Sequence, residues 1–140
     1  MSVLFGQEHV DRYRETDGEE GHIWREGSTI LLLTTTGRRT GNETTTPLIY
    51  DLDADGSPVI VASKGGAPEH PGWFRNIEKT PEVGVQILGE KFRARARVAE
   101  GEERERLWRQ MNEMWPHYDE YAAKTDREIP VVVLERVDMS

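Results

Sequence analysis

The sequence predicts one domain of mainly β-structure, folded as a closed or nearly closed antiparallel barrel with short helices between some strands. The chain has 140 residues, a length that suits one domain with one core. Six apolar or alternating runs have the length of strands, and tight turns join most of them. Short strands linked in this way are typical of antiparallel barrels.

The first three predicted strands are joined by turns rather than by helices. Residues 29–36 are apolar and β-branched, which is typical of a buried strand. Residues 44–51 form the second strand, where Pro47 indicates an edge position or a bulge. An Asp-Gly hairpin turn then leads to a third strand at residues 58–63.

The second half of the chain predicts two inserted helices and three more strands. A short helix is expected at residues 70–78, with Pro71 at its first position. A longer helix at residues 101–115 has an apolar stripe on one face. The strands are expected at residues 82–88, 91–99 and 130–137. In the middle one, four apolar residues point to one face and alternate with basic residues: Phe92, Ala94, Ala96 and Val98.

Residues 1–27 form a polar, acidic N-terminal segment ahead of the barrel domain at residues 28–140. Residues 8–15 are compatible with a short helix. The first residues lack the basic start and apolar stretch of a secretory signal, and no apolar run is long enough to cross a bilayer. We therefore expect a cytoplasmic protein without stable membrane insertion.

Charge and composition exclude several classes of function. The net charge of −8 repels nucleic acid, so we expect no nucleic-acid partner. The absence of cysteine excludes disulfides and thiolate chemistry, and the four histidines lack metal-ligand spacing. The sequence has no nucleophile elbow, Walker loop or Rossmann fingerprint. An enzyme whose cofactor carries the chemistry fits this pattern best.

Two basic turns are predicted at the same end of the sheet, provided that the first three strands alternate in direction. The first basic turn is residues 37–42, with Arg38 and Arg39, and the second basic turn is residues 63–66, with Lys64. Glycines expose backbone N–H groups in both, so the turns can form a cradle for a phosphate or another anion. Solvated side chains on ordinary surface turns are an equally open interpretation.

Four more residues are candidates for a site near these turns. Trp73 follows the second basic turn and offers an aromatic face, although a core position explains it as well. Tyr118 and Tyr121 share one helical face and can donate protons, although such pairs often cap a core. Ser63 ends a strand beside the second basic turn and is either a ligand contact or an ordinary strand-end residue.

Several segments resemble the deazaflavin-dependent nitroreductase family, in register from about residue 8 to residue 137. They include residues 33–41 (LTTTGRRTG), 46–50 (TPLIY), 61–66 (VASKGG), 70–76 (HPGWFRN), 115–118 (WPHY) and 129–135 (IPVVVLE). The resemblance implies a six-stranded split β-barrel like that of flavin-mononucleotide-binding proteins. It also implies that the coenzyme is F420, a deazaflavin with a phosphodiester and several glutamates in its tail.

The resemblance assigns roles to residues by position. The implied coenzyme-binding residues are Arg38, Arg39, Thr40, Pro47, Ala62, Ser63, Lys64, Gly65, Gly66 and Trp73. The implied catalytic residues, which border the substrate pocket, are Ser63, Tyr118 and Tyr121. The sequence departs from the family at Thr44, where several members have arginine, and at Trp115, where a tyrosine is usual.

The implied activity is hydride transfer from reduced F420 to electron-poor small molecules. These include quinones, conjugated enones or lactones such as coumarin-like compounds, and nitroaromatics. Two alternatives stay open: a split-barrel oxidoreductase that binds flavin mononucleotide, and a non-catalytic F420 carrier. Barrels of this kind often pair, so a homodimer is one assembly that the sequence allows.

Overall fold

The computed structural model describes residues 6–137. The start of the predicted N-terminal segment (residues 1–5) and the end of the predicted barrel domain (residues 138–140) lie outside the described residues. The strands are β1 (Thr29–Thr36), β2 (Glu43–Leu52), β3 (Pro58–Val61), β4 (Glu82–Ile87), β5 (Glu90–Val98) and β6 (Val131–Arg136). They close an antiparallel barrel in the order β1-β2-β3-β6-β5-β4. The predicted six-stranded antiparallel barrel is confirmed.

Within residues 6–137, four α-helices flank the barrel, and two of them are the inserted helices predicted. They are α1 (Gly6–Thr16), α2 (Gly72–Lys79), α3 (Gly101–Met114) and α4 (His117–Ala123). The helix α1 corresponds to the short N-terminal helix that the sequence allowed. Helix α2 begins one residue later than predicted, because Pro71 is its N-cap with an extended backbone. None of the helices within residues 6–137 has the length and apolarity needed to span a membrane.

The alternation predicted for β5 fails at its last residue. Ala94 and Ala96 are buried as expected, but Val98 is 46% exposed and Ala99 is buried in its place. The Ala99 N–H donates to Val131 O at 2.8 Å while the chain leaves the barrel towards α3. This change of direction moves the buried face by one residue.

The barrel is split between β2 and β3. All eight residues of β1 pair with β2, whereas β2 pairs with β3 only at Asp51 and Leu52. On its other side, β3 pairs with β6 at Val59, Ile60 and Val61. Residues 43–50 therefore have no strand partner on their β3-facing side within the described chain, which confirms the edge position predicted for Pro47.

Apolar packing joins the N-terminal helix to the barrel. Alternate residues of β1 face in opposite directions, so that Leu31 and Leu33 belong to the barrel core, while Ile30 and Leu32 pack against α1. Tyr13 of α1 is fully buried there, and its hydroxyl donates to Ile30 O at 3.0 Å. The described part of the N-terminal segment is thus fixed against β1 and lies beside the split.

Candidate functional site

A cavity of about 370 Å³ opens where β2 and β3 separate. Its walls come from β2, the end of β3, the second basic turn, α1, α2 and α4. The lining residues are Gly6, His9, Trp24, Ile30, Thr46, Pro47, Leu48, Ile49, Val61, Ser63, Lys64, Gly65, Pro71, Trp73, Trp115, Tyr118 and Tyr121. A mostly apolar cavity of this size with a few polar groups is typical of sites for aromatic ligands.

The structure brings most of the predicted site residues together at this cavity. Those that line it are Pro47, Ser63, Lys64, Gly65, Trp73, Tyr118 and Tyr121. Ala62 is fully buried and packs in the barrel core with Trp73. The first basic turn, with Arg38, Arg39 and Thr40, is not part of the lining.

The second basic turn has the backbone conformation of an anion-binding nest. Ser63 is right-handed (φ −80°, ψ −38°), and Lys64, Gly65 and Gly66 follow with φ of 47°, 63° and 86°. A right-handed residue followed by a left-handed one turns successive N–H groups into one concavity. The N–H groups of Lys64 and Gly65 donate to no acceptor within residues 6–137, so they are available to a ligand.

The Lys64 side chain adds a positive charge to this turn. Its Nζ pairs with Glu69 Oε1 at 3.2 Å, and both side chains are about half exposed. Exposed pairs of this kind contribute roughly 0–1 kcal/mol, so an anionic ligand can replace Glu69 at low energetic cost.

Gly66 connects the second basic turn to the tyrosines of α4. A Cβ on Gly66 would lie 2.7 Å from Tyr121 O and 3.0 Å from Tyr121 Cα. Only glycine permits this approach at the same time as the left-handed φ. The position of Tyr121 on the cavity wall is thereby tied to the conformation of the turn.

The tyrosines place hydroxyl groups on the cavity wall. Tyr118 is only 4% exposed, yet its hydroxyl forms no hydrogen bond with residues 6–137. No fully buried side-chain oxygen among these residues lacks a partner, so the Tyr118 hydroxyl is not fully enclosed, and Tyr118 is one of the residues that line the cavity. Burial raises the pKa of Tyr118, which keeps the phenol protonated. Tyr121 accepts a hydrogen bond from Trp115 Nε1 at 3.3 Å and retains its own proton for donation.

The first basic turn is held by a residue that the sequence analysis missed. Asn76 is 5% exposed, and its Oδ1 accepts from Arg38 N at 3.2 Å and Arg38 Nη1 at 3.0 Å. Its Nδ2 donates to Thr35 Oγ1 at 3.0 Å. The helical spacing of Asn76 from the buried Trp73 was the available signal, since a polar residue on a buried face needs partners.

The N-terminal segment also contributes residues that the sequence analysis did not select. His9 is buried beside the cavity, and its Nε2 donates to Gly21 O at 2.8 Å. Trp24 stacks on Trp115 with ring centroids 5.7 Å apart. The available signal was the four-residue spacing of His9 and Tyr13, which places them on one helical face, but nothing in the sequence related that face to the cavity.

Comparisons with known proteins show the family to which this chain belongs. A family model described as F420H2-dependent quinone reductase matches residues 5–136. The chain is 40% identical over 131 residues to an F420H2-dependent quinone reductase of Mycobacterium tuberculosis, covering 91% of this chain and 87% of that protein.

Two solved structures are also similar. One, an F420H2-dependent reductase, is 44% identical, with a TM-score of 0.69 over 76% of this chain and 93% of that chain. Another, described as a domain-swapped dimer, is 41% identical, with a TM-score of 0.72 over 92% and 96%. These matches confirm the split-barrel fold and the predicted class of F420-dependent oxidoreductase. The chain belongs to the F420H2-dependent quinone reductase family.

Proposed function

We propose that this protein binds F420 in the cavity at the split and reduces quinones with hydride from the reduced coenzyme. The observation that carries the proposal is the second basic turn, which combines free backbone N–H groups with a lysine at the edge of an apolar cavity. An aromatic ligand with an anionic tail requires this combination of surfaces.

The residues present fit the two parts of the coenzyme. Pro47 and Trp73 provide apolar surface for the planar deazaflavin. Lys64 and the N–H groups of the second basic turn would hold the anionic tail, with Arg38 and Arg39 of the first basic turn as further charges. Arg39 is exposed and forms no ion pair or hydrogen bond within residues 6–137, so it is free to bind a ligand. Direct contacts from Thr40 and Ala62 stay predictions.

The reduced coenzyme, when bound, supplies a hydride, and the protein has to provide orientation and a proton. Reduction of a quinone to its hydroquinone consumes one hydride and one proton in total, and both carbonyl oxygens then become hydroxyls. Tyr118 and Tyr121 can donate hydrogen bonds towards an oxygen in the cavity, where excluded water strengthens such bonds. Ser63 offers a third hydroxyl on the same lining.

Substrates beyond quinones form a finer part of the proposal. Conjugated enones, coumarin-like lactones and nitroaromatics accept hydride in the same way. Trp115, where the resemblance implies a tyrosine, lines the cavity, stacks on Trp24 and donates to Tyr121. We therefore expect flat, small quinones to be better substrates than bulky nitroaromatics.

Two alternatives make different predictions. A protein that binds flavin mononucleotide needs one phosphate site, and its affinity would not depend on a longer tail. A non-catalytic carrier would bind F420 but would not oxidise the reduced coenzyme with any quinone. The family match favours an enzyme over a carrier, and so does the Tyr118 hydroxyl, which has no hydrogen-bond partner within residues 6–137.

The first experiment is a fluorescence titration with oxidised F420 and, in parallel, with flavin mononucleotide. We expect a Kd for F420 in the micromolar range or below, on the order of −8 kcal/mol, and no binding of the flavin. Oxidation of reduced F420 is then followed with a small quinone. Flavin binding alone, or binding without turnover, would exclude the proposed function.

The proton donor is tested with Tyr118→Phe, Tyr121→Phe and Ser63→Ala. We expect Tyr118→Phe to lower kcat by about tenfold to a hundredfold with little change in the Kd of F420. Tyr13→Phe is the matched control, because this buried tyrosine lies away from the cavity. If all three site variants keep the wild-type kcat, the proton comes from solvent.

The assembly of the chain is a separate proposal. One similar structure is described as a domain-swapped dimer, which is consistent with the homodimer that the sequence allowed. Light scattering after size-exclusion chromatography distinguishes a dimer of this chain from a monomer.

A further inference from the structure

The guanidinium group of Arg127 binds backbone carbonyls on both sides of the second basic turn. Its Nε donates to Ala67 O at 2.9 Å, Nη1 to Ala62 O at 3.2 Å and Nη2 to Ser63 O at 2.7 Å. Nη1 also donates to His70 Nδ1 at 3.1 Å. Four of the guanidinium N–H groups thus have acceptors that lie between the end of β3 and the start of α2.

The carbonyl groups that Arg127 binds flank the nest on both sides. Ala62 and Ser63 precede the left-handed residues, and Ala67 follows them. Because these carbonyls point at the guanidinium group, they do not accept hydrogen bonds from the N–H groups of Lys64 and Gly65. Left-handed φ at Lys64, a residue with a Cβ, is unfavourable and persists only where the surroundings enforce it. Arg127 binds the chain on both sides of Lys64, at Ser63 O and Ala67 O.

Arg127 also fixes the segment that leads into α2. Because His70 Nδ1 accepts from the guanidinium, the neutral ring carries its proton on Nε2. The ring lies against Phe74, with centroids 4.8 Å apart. The same arginine therefore joins the nest to the helix that carries Trp73.

Arg127 does not contact the cavity itself. It is absent from the cavity lining and instead borders a separate surface depression with Trp108 and Ile129. Its charge has no salt-bridge partner within residues 6–137, so a full positive charge lies behind the nest. Positive charge and fixed N–H groups both favour an anion in front of the turn.

We propose that Arg127 is a positioning residue that keeps the second basic turn in its anion-binding conformation without touching the ligand. The identification of that anion as the tail of F420 rests on the proposed function. The conformation itself does not, so the two can fail separately.

The conformation is tested with inorganic phosphate as the probe and amide NMR as the readout. We expect phosphate to shift the Lys64 and Gly65 amide resonances in the wild-type protein and to leave them unmoved in Arg127→Met. Arg127→Lys retains the charge but not the fork of donors, so a reduced shift is expected. If phosphate shifts these amides in Arg127→Met as in wild type, or shifts them in neither protein, the proposal is wrong.

The matched control is Arg104→Met. Arg104 also donates to a backbone carbonyl, that of Ile129 at 2.6 Å, and pairs with Glu128, but it has no bond to the second basic turn. We expect this variant to keep the phosphate response of the wild type. An equal loss in both variants would assign Arg127 a general role in stability and overturn the proposal.

The second arm compares F420 with a deazaflavin that lacks the tail. In Arg127→Met we expect roughly tenfold weaker F420 binding and unchanged binding of the tail-less compound. Equal weakening of both ligands contradicts a role in tail binding. If wild type binds neither ligand but phosphate still shifts Gly65, the proposed function fails and the role of Arg127 stands. If Arg127→Met does not fold, Arg127→Lys gives the same comparison.

Discussion

The two basic turns have similar compositions but reach a ligand in different ways. The first basic turn depends on a side chain, since Asn76 fixes both the backbone and the guanidinium of Arg38. The second basic turn offers backbone N–H groups, held from behind by Arg127 and by the close approach of Gly66 to Tyr121. Positive residues and glycines in a sequence therefore do not show whether a turn only adds charge beside a site or binds an anion through its backbone N–H groups. The difference lies in what holds each turn.

The largest effect is expected from Gly66→Ala, which breaks the second basic turn. A Cβ there would collide with the Tyr121 backbone at 2.7 Å while φ stays at 86°. We expect the Kd of F420 to rise by about 100-fold and the free energy of unfolding to fall by about 2–4 kcal/mol. Fluorescence titration and urea denaturation measure the two quantities.

Gly65→Ala is the control for this change. Gly65 has a similar left-handed φ of 63°, but open space surrounds the added Cβ. Strain alone then costs about 1–2 kcal/mol. Equal effects at the two glycines would show that contact with α4 is unimportant.

Removing the charge of the second basic turn should have the next largest effect. We expect Lys64→Met to weaken F420 binding by about tenfold at low salt, and less at high salt, because exposed charges are screened. Arg39→Met in the first basic turn should weaken it by only about threefold. Titrations at two salt concentrations compare them, and a larger effect of Arg39 would reverse the ranking of the turns.

Loosening the first basic turn should reduce stability more than affinity. Asn76→Ala removes the acceptor of two Arg38 donors and the donor to Thr35, so we expect a loss of about 1–3 kcal/mol in stability. The Kd of F420 should rise by only about threefold, because Arg38 is one of several charges. Denaturation and titration of Asn76→Asp, which keeps the acceptor, should show a smaller loss of stability.

Acid should weaken the second basic turn through His70. Burial and Arg127 lower the pKa of His70, Arg75 lowers it further, and Glu78 opposes them. Because the pKa of His70 is lower in the folded state, the neutral ring stabilises the fold fully above about pH 6.5, the ordinary pKa of histidine. This stabilisation is lost as the pH falls through the folded-state pKa. We expect the Kd of F420 to rise about twofold between pH 7.5 and 5.5. His70→Asn, whose amide oxygen accepts without titrating, should show a flatter profile.

Among the substitutions, the smallest effect on F420 affinity is expected from Glu69→Gln, which removes the ion-pair partner of Lys64 in the second basic turn. Glu69 pairs with Lys64 at 3.2 Å and competes with an anionic ligand for its charge. We expect the affinity for F420 to increase by about twofold at low salt. Glu113→Gln on α3, which is exposed and has no ion pair within residues 6–137, is the control and should change nothing measurable.

Local patterns were sufficient to predict most of the fold. The apolar run of β1 and the Asp-Gly turn before β3 depend on neighbouring residues, so their strands were found within a few positions. The exception at Val98 arises where the chain leaves the barrel, a change of direction that alternation does not encode. The hairpin links predicted an antiparallel barrel. The pairings of β3 with β6 and of β1 with β4 join strands that are not consecutive, and the sequence did not predict them.

Candidate residues near the turns were also visible in the sequence, but the contacts that organise them were not. Arg127 lies 64 positions from Ser63 and Asn76 lies 38 from Arg38. Such distant pairs carry no periodicity, so residue-by-residue analysis assigned no role to Arg127 or to Asn76, although Asn76 lies in the family-like segment 70–76. His9 was missed for the same reason, because only the packing of α1 on β1 brings it to the cavity.

The sequence by itself determined the six strands, the two basic turns, the edge position of Pro47 and the family. These properties depend on residue type and short-range spacing, which the chain states directly. Only the tertiary structure decided where β2 and β3 separate, which basic turn faces the cavity, and what holds it. The physical reason is that pairing, burial and hydrogen-bond partners are set by distances across the barrel, and a linear sequence does not contain those distances.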